Sequence, residues 1–569
     1  MRRHAAFILT AAAACCALAA GAGAAIAATA SPAGHWGNAQ QITGLNNLNA
    51  GGLADVSTVS CGSPGNCVAG GTYHTADHVP HAFLAEEKGG AWGPQMQVTN
   101  ISTTPAVVDS VSCSDAGDCT AVGHLISSIP IAFFVNEVNG TWRHITPLAA
   151  DGVPSEPVSV SCAPSSPGNC AVGGWFTDSS NKAQPFVADE RNGTWGPEQQ
   201  VTALQQVNAG IDAQVTSVSC ASPGNCAAAG HYKRASGILS SFIVDEFGGV
   251  WGNGHPIPEM SRLTTNGSEA DAVSCASAGN CALAGAYTDG HGQQQVFTIN
   301  EVNGDWILPA PVPGVSDLNV GGFAEVKGIS CGAAGGCAVA GDYAADTRHT
   351  FGGFVAEEKN GTWQAARTVV GVANTVGTPA GSADTVSCPS AGNCVVGGSI
   401  STDTGTQAAV LSEVDGVWGS PLQVPGVAGF STRAFSGVGA ASCATAGNCA
   451  VGGFYQDSPG NLQAFVADES TATATTLKLS AATVKYGHEQ SEKLSVSVHP
   501  RTGGTAGGKV TVIAGATTIC VIKLASGKGS CRLTAKKLKP GSYRLTGIYS
   551  GDRTYDGSAY PDQTLTVTK

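Results

Sequence analysis

Charge and aromatic side chains are scarce in this chain of 569 residues. Lys and Arg number 28 and Asp and Glu 41, so charged residues make up 12% of the sequence, with aromatics at 6% and Met at only three. That charge share is half the usual one, which excludes coiled coils, charge-laced helical bundles and charge-rich disordered chains. Beyond the N-terminal region no run approaches the 18 or more uninterrupted apolar residues of a membrane-crossing helix, so no transmembrane segment is expected. No Gly-x-Ser-x-Gly elbow and no His-Glu-x-x-His pair occurs. What the chain has in abundance is glycine, 77 residues, with 42% apolar residues, 20 cysteines and a formal net charge of -13. Small residues in short strands fit that composition.

The N-terminus reads as an export signal. Met1-Arg2-Arg3-His4 precedes an apolar run to about Ile26 and the small residues Ala27, Ala28, Thr29 and Ala30, which suit a signal peptidase. Residues 1–30 are therefore expected to be removed, and the mature protein to be secreted, extracellular or held at the cell surface. Cys15 and Cys16 follow Ala12-Ala13-Ala14 without the Leu that usually stands three residues before a lipidated Cys. The other 18 cysteines form nine close pairs: Cys61/Cys67, Cys113/Cys119, Cys162/Cys170, Cys220/Cys226, Cys275/Cys281, Cys331/Cys337, Cys388/Cys394, Cys443/Cys449 and Cys520/Cys531. An even, fully paired count in an exported chain reads as disulfides. Zinc would need two pairs to converge on one tetrahedral site, which repeats set around a ring would not allow.

Eight of the pairs mark a repeat. Measured from the first cysteine, successive copies begin 52, 49, 58, 55, 56, 57 and 55 residues apart, a period of propellers or solenoids. Each copy opens with a short strand ending in Cys, as in Asp109-Ser110-Val111-Ser112-Cys113, then a turn such as Ser222-Pro223-Gly224-Asn225, where Pro and Gly at the central positions favour type II. The second Cys starts a strand ending in small residues, Cys170-Ala171-Val172-Gly173-Gly174 for example. A third apolar strand ends in carboxylates, Pro185-Phe186-Val187-Ala188-Asp189-Glu190, and leads through Asn192-Gly193 to Trp195. Asn139-Gly140, Asn303-Gly304, Asn360-Gly361, Gly89-Gly90, Gly248-Gly249 and Asp415-Gly416 repeat that turn, and two positive φ angles there give a type I′ hairpin. Four antiparallel strands per copy without helical periodicity describe a propeller blade.

Cysteine hairpins and Trp-bearing fourth strands both number eight, the latter at Trp36, Trp92, Trp142, Trp195, Trp251, Trp306, Trp363 and Trp418. They are out of phase: Gly34-His35-Trp36-Gly37 precedes the first cysteine, and Phe465-Val466-Ala467-Asp468-Glu469 has no Trp after it. An N-terminal strand that completes the last blade would leave no open sheet edge. The expectation is an all-β protein, an eight-bladed β-propeller over residues 31–470 closed in this way, followed by a second domain at 471–569. Cys67-Val68-Ala69-Gly70-Gly71-Thr72-Tyr73 leading to Trp92, and the run from Cys449 to Tyr455, resemble the kelch repeat, which implies a kelch-like propeller over about residues 31 to 470. Gly123-His124 and Gly285-Ala286 lack that repeat's second Gly, and the hairpin disulfide is not a kelch hallmark.

From about Thr471 the cysteine period stops and alternating strands such as Leu494-Ser495-Val496-Ser497-Val498 suggest a β-sandwich. Tyr549-Ser550-Gly551-Asp552-Arg553-Thr554-Tyr555, after Pro540-Gly541-Ser542-Tyr543, closely resembles bacterial Ig-like domains at the ends of exported surface proteins, which implies a spacer or adhesive module without catalytic residues. Residues 471–569 hold 14 Lys/Arg against 5 Asp/Glu, while the rest of the mature chain holds 12 against 36. A basic sandwich suits an anionic cell-wall polymer, and the acidic repeats would repel nucleic acid.

Three sets of residues are candidates for function. Glu87, Glu137, Glu190, Glu246, Glu301, Glu358, Glu413 and Glu469 end the third strands, and their repetition points to a structural hydrogen-bond or turn device. Acids also precede the first Cys of seven copies: Asp109, Asp271 and Asp384 four residues upstream, Asp55, Glu156 and Glu325 six, and Asp212 eight. Even offsets put them on one strand face around one mouth of a central channel, where carboxylates could hold Ca2+ or a cationic ligand; no other cofactor is indicated. His74, His78 and His81 offer three imidazoles for a transition metal. A sialidase reading fails because Gly stands one residue too close to Trp for the Asp box and the seven Arg of the repeats are scattered. A galactose-oxidase-like copper site needs an unpaired Cys, which the mature chain lacks. The expectation is a monomeric, non-enzymatic binding or adhesion protein whose loops take an extracellular glycan or protein. The rival is an extracellular polysaccharide hydrolase or lyase using two of the channel-mouth acids.

Overall fold

The computed structural model describes residues 35–569 apart from 98–103, 149–152, 205–207, 209–211, 349, 370–379, 432, 434, 459, 471–472, 501–504, 515–516, 553–554 and 556. The expected export signal, with Cys15 and Cys16, lies outside the described residues. The described chain is all-β, with helical turns no longer than Leu45–Leu48 or Val315–Leu318. None of its helices is long and apolar enough to cross a membrane.

Sheets of one design recur along it. Their first strands are Ala54–Ser63, Ala106–Asp115, Ser155–Cys162, Ala213–Ser222, Ser268–Ser277, Ala324–Ala333, Gly381–Ser390 and Ser436–Thr445, numbered here as sheets one to eight. In each, the first strand pairs with the Cys-led second, the second with the third, and the third with short outer strands. In sheet three, for instance, Thr194–Trp195 and Gln199–Gln200 both pair with Ala183–Arg191. Sheet eight draws its outer strands from the other end of the chain. His35–Trp36 and Gln40–Gln41 pair with Leu462–Ser470, setting Trp36 opposite Glu469.

Local chemistry explains the repetition. All nine expected disulfides form, eight of them joining cysteines whose Cα atoms lie 3.9 to 4.1 Å apart. In sheets five, six and seven these are Cys275–Cys281, Cys331–Cys337 and Cys388–Cys394, and the second cysteine of each packs into the apolar core of its sheet. The Asn-Gly turns carry the positive φ pair that type I′ requires, 49° and 76° at Asn139-Gly140 for example. Every first strand also has a β-bulge before its Cys, between Val56 and Thr58 in sheet one and at the same place in the others. Across from the bulge stands a glycine, because a Cβ on Gly71 would lie 2.0 Å from the Asp55 carbonyl oxygen; Gly123, Gly174, Gly230, Gly285, Gly341, Gly398 and Gly453 meet the same obstacle. Gly123 and Gly285 thus align with the second glycine of Gly70-Gly71. It is the first of the pair that varies, to Val122 and Ala284. Phe83, Phe133, Phe186, Phe242, Phe297, Phe354 and Phe465 lie opposite these glycines on the third strands and are fully buried. In sheet seven Ala409 takes that place.

Adjacent sheets are joined at their first strands. The backbone N–H of Cys113 donates to Ser60 Oγ at 2.9 Å, that of Cys162 to Ser112, Cys220 to Ser161, Cys275 to Ser219, Cys331 to Ser274, Cys388 to Ser330 and Cys443 to Ser387. Cys61 N–H donates to Ser442 Oγ at 3.0 Å, so sheet eight meets sheet one through the same bond.

In the C-terminal part, Thr473–Leu479, Lys493–Pro500 and Lys528–Arg532 form one sheet. Thr483–Lys485, Ser558–Thr568, Gly541–Tyr549, Lys509–Ala514 and Thr517–Lys523 form the other. Leu477, Leu494, Val496, Val510, Leu545 and Leu565 fill the space between them, and Cys520–Cys531 links the two sheets.

Gly174→Ala sets a methyl 2.1 Å from the Glu156 carbonyl oxygen. The clash should destabilise the protein by about 1 to 3 kcal/mol, read as a lowered denaturant midpoint; an unchanged midpoint would refute the steric role of this glycine.

Candidate functional site

The disulfide turns and the Asn-Gly turns lie at the same end of each sheet, where Gly140 N–H donates to the Gly117 carbonyl and Gly193 N–H to that of Gly168. Clefts open between successive sheets at this end. They measure about 360 Å3 between sheets one and two, 280 Å3 between two and three and 190 Å3 between three and four. Smaller ones of about 10 Å3 lie between four and five and between eight and one. Each is lined by a cysteine, turn residues and the third-strand glutamates.

The cysteines of the later sheets take no part in the three larger clefts. Cys281, Cys337, Cys388 and Cys394 are 4 to 6% exposed; Cys281 borders only the 10 Å3 cleft between sheets four and five, and the other three border none of these five clefts.

Those glutamates are structural, as their repetition suggests, but in a way that also makes a surface. Glu87, Glu137, Glu190, Glu246, Glu301, Glu358, Glu413 and Glu469 are only 2 to 6% exposed, and each lies opposite the Trp of its own sheet, Glu190 opposite Trp195 for example. In six sheets the Trp reaches across to the preceding sheet, to the residue just before that sheet's glutamate, Trp36 to Ser412 among them. Trp92 Nε1 donates to Asp468 at 2.9 Å, Trp251 to Asp189 at 2.8 Å, Trp306 to Asp245 at 3.0 Å and Trp363 to Asn300 Oδ1 at 3.2 Å; Trp142 donates to Glu86.

The glutamate itself therefore meets an acid, an amide or a hydroxyl from its neighbour. Asn136 donates to Glu190 and Asn300 to Glu358. Elsewhere two carboxyls meet. Burial and then the adjacent Asp468 push Glu87 up to about 8. Burial and Glu86 do the same to Glu137, and burial and Glu357 to Glu413. Glu301 rises to about 7 through burial and Asp245, and Glu246 to about 7 through burial and Asp189, partly offset by Arg191. Glu190 and Glu469 reach about 7 by burial alone, against the bonds from Asn136 and with Ser412.

At three of these junctions the chain supplies its own cation from the position after the glutamate. Arg191 Nη2 lies 3.1 Å from both Asp189 Oδ2 and Glu246 Oε1 and donates to the Gly249 carbonyl. Lys88 Nζ lies 2.5 Å from Glu86 and 3.7 Å from Glu137, and donates to the Gly140 carbonyl at 3.3 Å. Lys359 Nζ lies 3.0 Å from Glu357 and donates to the Gly416 carbonyl at 3.4 Å.

The acids expected at the channel mouth lie at the opposite end of the first strands, but not as one ring. The bulge breaks the alternation on which the even offsets relied. Asp109, Asp271 and Asp384 are the bulged residues themselves, whereas Asp55, Glu156 and Glu325 pair regularly before it and Asp212 precedes its strand. Asp109 Oδ2 binds His124 Nδ1 at 2.8 Å; burial raises Asp109 against the His124 bond, with Glu156 of the next sheet adding, while for His124 burial opposes the imidazole's charge but Asp109 and Glu156 outweigh it. Asp271 is pushed up to about 8 by burial, with Glu269 and Glu325 adding and Lys327 offsetting. Glu325 pairs with Lys327 at 2.8 Å and lies opposite Asp342, which burial and the nearby Asp384 hold at about 7 despite its bond from Ala383 N–H. Asp55 and Asp212 are answered within their own sheets, by His74 and by His231 with Lys233.

The histidine trio does not converge. His74 Nδ1 is 3.1 Å from the Leu53 carbonyl, His78 sits exposed at a turn with φ 59°, and His81 is buried with its ring stacked 5.6 Å from Tyr73. Among the described residues no group of three or more His, Cys, Asp or Glu side chains is placed to hold a metal ion. Sequence reasoning passed over two sets of residues: the Ser before each first Cys, and the acid, amide or, at Ser412, hydroxyl before each third-strand Glu. Both recur at fixed offsets from the cysteines and glutamates, so the repeat itself carried the signal.

Residues 466–568 match the family model of the bacterial Ig-like domain (group 3). No curated protein matches the chain. Among solved structures it is similar to propeller-like all-β proteins. One is the BP39L lectin from Burkholderia pseudomallei, at 13% identity over 65% of this chain and 99% of that one, with a TM-score of 0.40. A second is a subtype N11 neuraminidase-like protein of A/flat-faced bat/Peru/033/2010, at 8% identity over 78% and 95%, with a TM-score of 0.34. A Mycobacterium tuberculosis puromycin-hydrolyzing peptidase matches at 10% identity over 75% of this chain, with a TM-score of 0.38, and the chain spans 62% of its length.

The buried acids fix the sign of the protein's pH response. Their folded values, about 7 to 8, exceed the ordinary glutamate value, so the stability they contribute is complete below about pH 4.5 and lost as pH rises through 7 to 8. Ionising a carboxyl held one pH unit too high costs about 1.4 kcal/mol. The melting temperature should fall steadily between pH 5 and 9, and Glu413→Gln should flatten part of that fall. A melting temperature that rises over this range would refute the assignment.

Proposed function

We propose that the protein is a secreted, monomeric, non-enzymatic binding or adhesion protein built as a closed, kelch-like eight-bladed propeller over residues 31–470, with its Ig-like module from 471. The observation that carries the binding reading is the recurrence, at five junctions between successive sheets at the disulfide end, of clefts lined by cysteine, turn residues and third-strand glutamates. Catalysis needs one distinctive site, whereas repeated clefts of like chemistry suit a ligand with repeated features, a glycan or an extended protein segment. The Cys61–Ser442 bond and the pairing of His35–Trp36 with sheet eight support closure. The basic C-terminal module would dock to anionic wall polymer, and the acidic repeats disfavour nucleic acid.

One observation favours the hydrolase alternative. Asp271, pushed up to about 8 by burial and by Glu269 and Glu325 beside it, has the protonation of a general acid at neutral pH with two further carboxyls nearby.

Arrays of extracellular glycans and proteins, run beside a polysaccharide turnover assay, separate the two. Binding without turnover is expected; polysaccharide cleavage abolished by Asp109→Asn or Asp271→Asn would overturn the binding reading. Deleting residues 31–45 should lower the melting temperature, because sheet eight loses its outer strands and a sheet edge is bared; an unchanged value would overturn closure.

A further inference from the structure

The junction between sheets four and five keeps the acid pair of the one before it but exchanges the residue after the third-strand glutamate. Where Arg191 spans Asp189, Glu246 and the Gly249 carbonyl, the equivalent Phe247 lines one cleft with Asp245 and Glu301, and its Cζ lies 4.0 Å from where a Gly304 Cβ would be. The acid pair is kept and the cation is not. Glu301 is 4% exposed, and its Oε1 has no hydrogen-bond partner among the described residues; neither does Asp245 Oδ1. Both side chains line the cleft, whose 10 Å3 is about the room one water-sized group needs. An ammonium group is that size. Phe247, 49% exposed, lines the same cleft, and aromatic faces attract cations.

We propose that Asp245 and Glu301, in the cleft that Phe247 also lines, bind a primary ammonium group supplied from outside the chain. The site does for an external amine what Asp189 and Glu246 do for Arg191, and what Glu86 and Glu137 do for Lys88. It rests on the reading of these clefts as ligand sites and adds the chemistry that one of them selects. Asp305 raises Glu301 further, the bond from Trp306 Nε1 and then His255 partly offset the burial of Asp245, and Glu246 beside the cleft is already paired with Arg191. Proton and ammonium compete for the same carboxyls, so binding releases protons. With Glu301 titrating at about 7 and an alkylamine charged to about pH 10, affinity should rise roughly tenfold from pH 6 to pH 8.

The test is a carboxyl-carbon NMR titration of the full mature chain with n-butylammonium and, separately, with Nα-acetyl-lysine methylamide, using tetramethylammonium as the control without N–H donors. Saturable shifts at Asp245 and Glu301, stronger at pH 8 than at pH 6, are expected. A response to the lysine amide assigns the site to lysines of a polypeptide, and a response to butylammonium alone assigns it to small amines; either supports the proposal. Phe247→Lys should abolish the response by supplying the chain's own ammonium. Asp245→Asn, which recreates the Asn300–Glu358 junction already present between sheets five and six, should fold and bind several-fold more weakly. No saturable shift in the unmodified protein, or an undiminished one in Phe247→Lys, would overturn the proposal. Glycan or protein capture that persists in that event would leave the broader binding reading standing.

Discussion

Successive sheets are held by one recurring hydrogen bond, from the N–H of a first-strand cysteine to the hydroxyl of the serine just before the cysteine of the preceding sheet. Alone it is worth about 1 kcal/mol. Its effect lies in position, because it fixes how far each sheet advances on the last, and that spacing decides what the outer parts can reach. A Trp on one sheet meets an acid on another, and a Glu meets a carboxyl, because the first strands have already been set at that distance. The disulfide next to each bond keeps the hairpin from shifting its register, and with it the serine.

The acids at this end come at an energetic cost. Carboxyls nine-tenths buried and set against other carboxyls are unfavourable when ionised, and a chain selected for stability alone would have placed amides there, as at Asn136 and Asn300. Retaining acid pairs at several junctions while covering some with Lys88, Arg191 and Lys359 makes the junctions chemically unequal although their backbones are alike. That inequality is what can distinguish one cleft from the next in a molecule otherwise built by repetition.

The other end of the first strands is organised by the bulge. It turns Asp109, Asp271 and Asp384 out of the regular alternation and toward acids of adjacent sheets, so that two separate acidic groups form, one around His124 and one around Lys327. The glycine opposite each bulge and the phenylalanine packed on it are consequences of the same distortion, since the displaced carbonyl leaves no room for a side chain there.

Repetition made much of the fold legible without coordinates. Cysteine spacing announced the hairpins and their disulfides, the Asn-Gly turns announced their type, and the displaced Trp36 announced an outer strand borrowed by sheet eight, because each of these depends on neighbours along the chain or on counting copies. The bulge was not legible, since no residue type demands it and it shows only as a register change between paired strands. Without it, parity suggested one ring of seven acids, and His74, His78 and His81 looked close because they are close in sequence. Which carboxyls face one another, which are covered by a cation and which share a cleft with Phe247 was decided only when separate sheets were brought together, because those contacts join residues some 55 positions apart whose meeting depends on the stacking distance and on nothing local.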